Sequence, residues 1–200
     1  MIWGPTVKRQ SFLFLAMGLM FCNVANGSEL ETIANRTMIE NHAVADFHGM
    51  IGINMAAGDN HAQLNLHLIG MGNTLLPGLI DQCTRAGESM PGEAMDLIGD
   101  YAFQSSVGIV SINQAACSGS AEANLVRIGY GVSVPLDTNI LQQVVGSTSQ
   151  ASQTENGNSI RSDVIGEHAF ENSRGIVQVN QSAGVANAVS NNLVINVNMQ

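Results

Sequence analysis

Histidine is the first residue type in this chain whose placement could do chemistry, because imidazole is a common metal ligand. Four of the five histidines fall in one short stretch, at positions 42, 48, 61 and 67. His61 and His67 are six residues apart, which is roughly 20 Å along an extended strand, so their rings cannot share an ion. A metal or haem site would have to join residues across a turn, and the candidate pair is His48 with His61. The alternative is that these histidines are solvated or cap backbone groups, and we predict no resident cofactor.

Cysteine is the second such residue type. Cys83 and Cys117 are the two thiols that remain if the N-terminal segment is removed. In an exported protein such a pair favours a disulfide, which would stabilise the fold by roughly 3–4 kcal/mol. Free buried thiols and intermolecular pairing are the alternatives. Cys117 also occupies a position where two related segments carry Gly58 and Gly184, and its β-carbon indicates a backbone that does not need positive φ.

Sequence motifs of the common enzyme classes are absent from the chain. It contains no G-x-S-x-G, no H-E-x-x-H, no phosphate-binding glycine loop and no C-x-x-C. Serine, histidine and aspartate occur, but no local pattern directs them towards one another. We therefore predict that the protein is not an enzyme.

The N-terminal segment has the pattern of a secretory signal peptide. Lys8 and Arg9 precede the apolar run SFLFLAMGLMF, and small residues at Ala25 and Gly27 suit cleavage after residue 27. The remaining chain, residues 28–200, carries five arginines, no lysine and sixteen carboxylates, for a net charge of −11. Without clustered cations it is not expected to bind nucleic acid, and no later stretch is long and apolar enough to span a membrane.

A 35-residue pattern occurs three times in this remaining chain without gaps. The copies are residues 38–72, 97–131 and 164–198, and they align on Asn54, Asn113 and Asn180. Further positions keep one residue type in all three copies, among them the later asparagines Asn65, Asn124 and Asn191. So many coincidences at fixed offsets establish an internal repeat.

The period of the repeat is that of β-strands. In GIVSINQAA, Val110, Ile112 and Gln114 fall on one face, and Ile109, Ser111 and Asn113 fall on the other. A glycine-containing turn and a second alternating run follow, so each copy is predicted to be strand–arch–strand. Stacked copies would let matched amides hydrogen-bond along the stack; the candidate ladder residues are Asn54, Asn113, Asn180, Gln114, Gln181, Asn65, Asn124 and Asn191. The alternative is that asparagine recurs at these positions only because it tolerates the backbone conformation near the turn.

We therefore predict an all-β fold, with three repeats stacked as a β-solenoid-like domain over residues 28–200. The spacers, residues 73–96 and 132–163, are predicted to be loops, with a short helical turn near 78–86 and a flexible polar run over 146–163. The matched glycines are expected to serve positive φ or close backbone approach.

The repeats resemble those of bacterial extracellular fibre subunits, the curli and Fap functional amyloids. The resemblance rests on Asn113-Gln114 and Asn180-Gln181 on strands, and on GDNHA (58–62) and Asn187-Ala188 after the arch. It implies stacked strand–arch–strand units, amide ladders, export to the cell surface and a part in biofilm or adhesion. The first copy departs from the pattern, because Met55 follows its asparagine.

The favoured function is an exported structural or adhesive surface protein that contributes to fibre, matrix or attachment by self-association of its repeats. Its expected location is secreted or cell-surface, with the periplasm in transit, and its expected partners are further copies or related subunits. Assembly is expected to be easier near pH 4–5, where the carboxylates neutralise. The alternative is an exported module that binds metal, haem or glycan through the histidine-rich first copy.

Overall fold

The computed structural model describes residues 34–71, 80–86, 93–130, 141–147 and 160–197. The predicted signal peptide, residues 1–27, lies outside the described residues. The strands, in chain order, are β1 (Ala34–Ile39), β2 (His48–Asp59), β3 (Ala62–Met71), β4 (Ile80–Ala86), β5 (Glu93–Ile98), β6 (Val107–Ser118), β7 (Ala121–Tyr130), β8 (Leu141–Ser147), β9 (Ile160–Ile165), β10 (Arg174–Ser182) and β11 (Ala188–Val197).

The strands stack as three rungs: β1–β4 form the first rung, β5–β8 the second and β9–β11 the third. Every sheet joins equivalent strands of successive rungs in parallel, in the orders β1-β5-β9, β2-β6-β10, β3-β7-β11 and β4-β8. The pairing is in register, so Asn54 lies beside Asn113 and Asn113 beside Asn180. The predicted all-β stacked fold is confirmed.

The four sheets lie against one another as layers, and the alternation along each strand decides what each interface contains. Between the first and second sheets an apolar cluster buries Ile98, Val110 and Ile112, and polar contacts such as that of Gln114 with Leu97 O lie beside it. Burying each such side chain stabilises the fold by roughly 1.5–3 kcal/mol. The third and fourth sheets are also joined by apolar side chains, among them Leu125 and Leu141. Amides fill the interface between the second and third sheets.

Six-residue turns stack between the first and second sheets. They begin after β1, β5 and β9, and backbone N–H groups of one rung donate to carbonyls of the next, as Val44 does to Ala102 at 2.8 Å. The turns also align aromatic rings: Tyr101 stacks on His42 and His168 with centroid separations of 5.2 and 5.1 Å. The turns therefore continue the stack that the strands form.

A column of glycines shows how closely the rungs approach. Gly49, Gly108 and Gly175 have φ of 129°, 137° and 123°, a region that side-chain-bearing residues rarely adopt. A β-carbon on Gly108 would lie 1.8 Å from the carbonyl oxygen of Gly49, and one on Gly175 would lie 2.0 Å from that of Gly108. Positive φ therefore favours glycine at all three positions, and close backbone approach is a second reason at Gly108 and Gly175.

The spacers are more regular than the sequence pattern predicts. The helical turn predicted near 78–86 is wrong, because residues 80–86 form β4 and pair in parallel with β8. The ends of the run predicted as a flexible loop, 146–147 and 160–163, belong to β8 and β9, and its centre lies outside the described residues. The first and second rungs therefore extend beyond the 35-residue copy in both directions, and the third rung begins before its copy. None of the described residues belongs to a helix that is long and apolar enough to cross a membrane.

Candidate functional site

Two asparagine ladders run along the stack in the second and third sheets. In the first ladder Asn113 Nδ2 donates to Asn54 Oδ1 and Asn180 Nδ2 donates to Asn113 Oδ1, both at 2.9 Å. In the second ladder the same two steps, from Asn124 to Asn65 and from Asn191 to Asn124, measure 3.0 Å each.

The two ladders are also bonded to each other across the interface between the second and third sheets. Within each rung the later asparagine donates to the earlier one, at 2.8 Å in the first rung, 2.9 Å in the second and 2.8 Å in the third. The same amides donate to main-chain carbonyls of the facing strand, as Asn124 Nδ2 does to Ile112 O at 2.9 Å. Because buried amides cost free energy unless they are bonded, this network makes a polar layer compatible with a folded core.

The ladder bonds have one direction. In both ladders the amide nitrogen of a later rung donates to the amide oxygen of the rung before it. The two ladders therefore end, in the third rung, on the amide oxygens of Asn180 and Asn191, of which Asn180 is only 2% exposed. The matching donor would be the amide nitrogen of Asn54 on the first rung, since Asn65 Nδ2 already donates to Ile53 O and Asn54 Oδ1. The two ends of the stack are thus chemically complementary.

A shorter glutamine ladder lies between the first and second sheets. Gln181 Nε2 donates to Gln114 Oε1 at 3.0 Å, and Gln114 Nε2 donates to the carbonyl of Leu97 at 3.1 Å. Met55 occupies the same column in the first rung. A further glutamine step, from Gln143 to Gln82 at 2.8 Å, joins β8 to β4 and was not predicted, because it lies in the spacers.

In several columns the ends of the stack are exposed where the middle is buried, although Gln178, Asn180 and Ser182 of the third rung are buried. In one column Ile98 is fully buried whereas Ile165 of the third rung is 48% exposed, and in another Val110 is 2% exposed and Val177 41%. We call the outer side of β1–β3 the first-rung face and the outer side of β9–β11 the third-rung face. Each face carries a row of strand edges, which template further pairing unless they are covered.

Two carboxylates of the second rung, Glu122 on β7 and Asp96 on β5, are buried near the turn between β6 and β7. Glu122 accepts from Gln63 Nε2 at 3.0 Å, and burial raises the pKa of its carboxyl to about 8. Asp96 accepts from Thr37 Oγ1 and from the N–H of Ser182, and burial raises its pKa to about 6. Neither carboxylate was predicted; the only signal for Glu122 was a charged residue inside the aligned part of the middle copy, and Asp96 lies one residue before that copy.

The structure does not bring His48 and His61 together. His48 begins β2 and His61 follows its other end, so the two lie roughly 40 Å apart along the strand. The Nδ1 of His61 accepts from the N–H of Ser120 at 3.4 Å, and burial lowers the pKa of this imidazole. Among the described residues of a single chain, no group of three His, Cys, Asp or Glu side chains lies closely enough together to hold a metal ion.

The structure does not form the predicted bridge between Cys83 and Cys117. Both thiols are free; Cys83 is exposed on β4, whereas Cys117 is buried inside the turn of the second rung. The expectation about backbone angle at Cys117 is also wrong, because its φ is 145° and that of Gly58 is 117°. The thiol of Cys117 contacts Arg161 Nη1 at 3.1 Å, so its neighbour is β9 of the third rung and not Cys83 of β4.

Comparison with known proteins agrees with this architecture. The model of the functional amyloid protein FapB/FapC family matches residues 16–198, nearly the whole chain. The chain belongs to this family. The FapB/FapC family is one of structural amyloid subunits and not of enzymes, which supports the prediction made from the missing motifs. No solved structure matches the chain.

Proposed function

We propose that the mature chain is a subunit of an extracellular amyloid fibre in the biofilm matrix, and that it assembles head to tail. In this arrangement the third-rung face of one chain receives the first-rung face of the next, in the register that joins rungs within a chain. We call this contact the junction. The observation that carries the proposal is the directional pair of asparagine ladders, whose acceptor end and donor end lie on opposite faces.

The backbone at the two faces also suits this stacking. The β-carbons that Gly108 and Gly175 lack would point into the carbonyl of the preceding rung, whereas the space beside the equivalent atom of Gly49 has Phe47 Cζ, at 3.7 Å, as its nearest neighbour. At the junction that space would hold the carbonyl of Gly175 from the neighbouring chain. Within one chain the φ of 129° favours glycine at position 49, and the junction would add close approach of a backbone as a second reason.

Among the described residues, the two outer strands of the second sheet carry few of the features that block pairing at a sheet edge. Natural sheets block exposed edges with lysine, proline or bulges. β2 contains neither lysine nor proline, and β10 has one arginine at its first residue. The net charge of −11 after signal removal would keep chains apart during export, and its neutralisation near pH 4–5 would favour assembly. Export through the periplasm to the cell surface follows from the predicted signal peptide.

Two substitutions on the first-rung face test the proposal without removing contacts within the chain. Asn54→Asp keeps the oxygen that accepts from Asn65 and Asn113. It replaces the amide that would donate to Asn180 of the neighbouring chain across the junction. Gly49→Ala places a methyl group where the carbonyl of Gly175 would lie. We expect the wild-type chain to form thioflavin-positive fibres, and both variants to remain soluble at the same concentration while keeping their β-sheet circular dichroism.

Ser162→Ala is a matched control, because Ser162 is a partly buried polar residue of the third rung outside the ladders. It should assemble as the wild type does. Wild-type protein that stays monomeric by light scattering from pH 4 to 8 would contradict the proposed function. Fibres of Asn54→Asp and Gly49→Ala that grow at the wild-type rate would contradict head-to-tail stacking.

A further inference from the structure

The column of stacked rings in the turns has histidine at its two ends and tyrosine in its middle. His42, Tyr101 and His168 occupy one column, with Tyr101 stacked between the two histidines at about the same spacing on either side. Within one chain each imidazole therefore has a phenol ring, and not a second imidazole, as its neighbour along the stack.

Head-to-tail assembly changes this neighbour. If the column continues across the junction, His168 of one chain lies one rung from His42 of the next, with no tyrosine between them. The ring separation would be the ladder spacing, about 5 Å. Two imidazoles from different chains would then face each other at every junction and nowhere inside a chain.

A carboxylate already lies beside one of these imidazoles. Glu171 Oε2 is 3.6 Å from His168 Nδ1, and both side chains are more than two-fifths exposed. Two ligand atoms on one tetrahedral zinc ion are about 3.3 Å apart, so this pair needs only a small movement to share an ion. A rotation of the exposed His42 ring would bring a third ligand from the neighbouring chain.

The charge around the junction favours a cation. The turn of the third rung contributes Glu167 and Glu171, and the turn of the first rung contributes Glu40 and Asp46. Arg174 lies further along the third rung, in the column of His48. A divalent ion would offset the repulsion between the two acidic turns, and imidazole with carboxylate is a donor set that zinc accepts.

We propose that each junction of the assembled fibre forms a binding site for a divalent transition-metal ion such as Zn²⁺. Its ligands are His168 and Glu171 of one chain and His42 of the next, with water completing the coordination. The site rests on the proposed head-to-tail assembly and is incomplete in the monomer. Zinc would therefore bind fibres and strengthen contacts between chains without binding the separate subunit.

The test measures zinc in sedimented fibres and in soluble protein after equilibration with ZnCl₂. The variants are His42→Tyr and His168→Tyr, which introduce the ring of the middle rung and so keep the ladder of stacked rings. The matched control is His48→Gln, which removes another exposed histidine from the same first-rung face. Soluble Asn54→Asp serves as the unassembled subunit, and MgCl₂ serves as the control for bulk charge screening.

We expect wild-type and His48→Gln fibres to hold about one zinc ion per chain, as one site per junction requires. Fibres of His42→Tyr and His168→Tyr should bind zinc at least about tenfold more weakly, since each lacks one imidazole. Equal zinc binding by soluble Asn54→Asp, or by His42→Tyr fibres, would overturn the inference while leaving the proposed function intact. Failure of the wild-type chain to form fibres would overturn the proposed function, and the junction site with it.

Discussion

The middle rung and the outer rungs share one sequence pattern but differ in what surrounds them. From Ile109 to Ser118 every residue of β6 is buried, whereas in β2 only alternate residues along most of the strand are even partly covered. The difference arises because a middle-rung residue is covered by neighbours above and below as well as by the facing sheets. Burial in this molecule therefore depends on position along the stack, and an outer rung is a middle rung that lacks one neighbour.

This comparison predicts its largest effect at the glycine column. Gly108→Ala places a methyl group 1.8 Å from the carbonyl of Gly49 and also strains a backbone with φ of 137°. We expect it to lower the free energy of unfolding by more than about 4 kcal/mol. Gly49→Ala carries the strain alone and should cost about 1–3 kcal/mol. Urea denaturation of dilute monomer measures both, and equal losses would show that the rungs are not as close as described.

The asparagine ladder gives the next largest difference. Asn113 Nδ2 donates to Asn54 Oδ1, Leu64 O and Asn65 Oδ1, so Asn113→Asp would set a buried carboxylate against three acceptor oxygens. The expected loss is about 3–5 kcal/mol, against less than about 1 kcal/mol for Asn54→Asp. Urea denaturation of dilute monomer measures both losses in the free energy of unfolding. A loss for Asn54→Asp as large as that for Asn113→Asp would contradict the directional ladder.

The buried carboxylate of the middle rung predicts a dependence of stability on pH. Because burial raises the pKa of Glu122 from 4.5 to about 8, the folded chain keeps a proton that the unfolded chain releases between these values. Its contribution to stability is therefore fully present below pH 4.5, falls as the pH rises to about 8, and is constant above that. Asp96, with a pKa raised from 3.8 to about 6, adds a loss of the same sign over a narrower and lower pH range, so its total contribution is smaller.

Replacing a carboxyl by an amide should have different effects on stability at a buried position of the middle rung and at an exposed position. Glu122→Gln should raise the free energy of unfolding at pH 8 by roughly 2–4 kcal/mol and change it little at pH 4. Glu93→Gln is the control, because Glu93 forms an exposed ion pair with Arg36 at 3.2 Å and should change stability by less than about 1 kcal/mol at either pH. A Glu122→Gln variant with the pH dependence of the wild type would show that Glu122 is not the titrating group.

The sequence predicted the part of the fold in which stacked positions share a residue type. Asn54, Asn113 and Asn180 align in the chain because one bonding geometry recurs in every rung, so their register could be read directly. β4 and β8 were not predicted, because their paired positions, such as Cys83 with Val144, differ in residue type. The sequence separation of the paired positions also differs from that between the first two copies.

Other features depend on proximity that no spacing reveals. The separation of Cys83 from Cys117 is a property of the folded layers, and the left-handed backbone at Cys117 is hidden by a residue type that rarely adopts it. The environment of Glu122 is likewise set by the layers and by the neighbouring rungs, so its raised pKa could not be anticipated from the aligned sequence.

The axial rise per chain in the fibre tests the central claim most directly. Parallel strands in a sheet are about 4.8 Å apart, so a chain that contributes three stacked rungs should advance the fibre by about 14 Å. Cryo-electron microscopy or mass-per-length measurement of wild-type fibres gives this value. A rise of about 14 Å per chain is the result we predict, and a rise of about 4.8 Å, with each chain confined to one layer, would contradict the stacked-rung account.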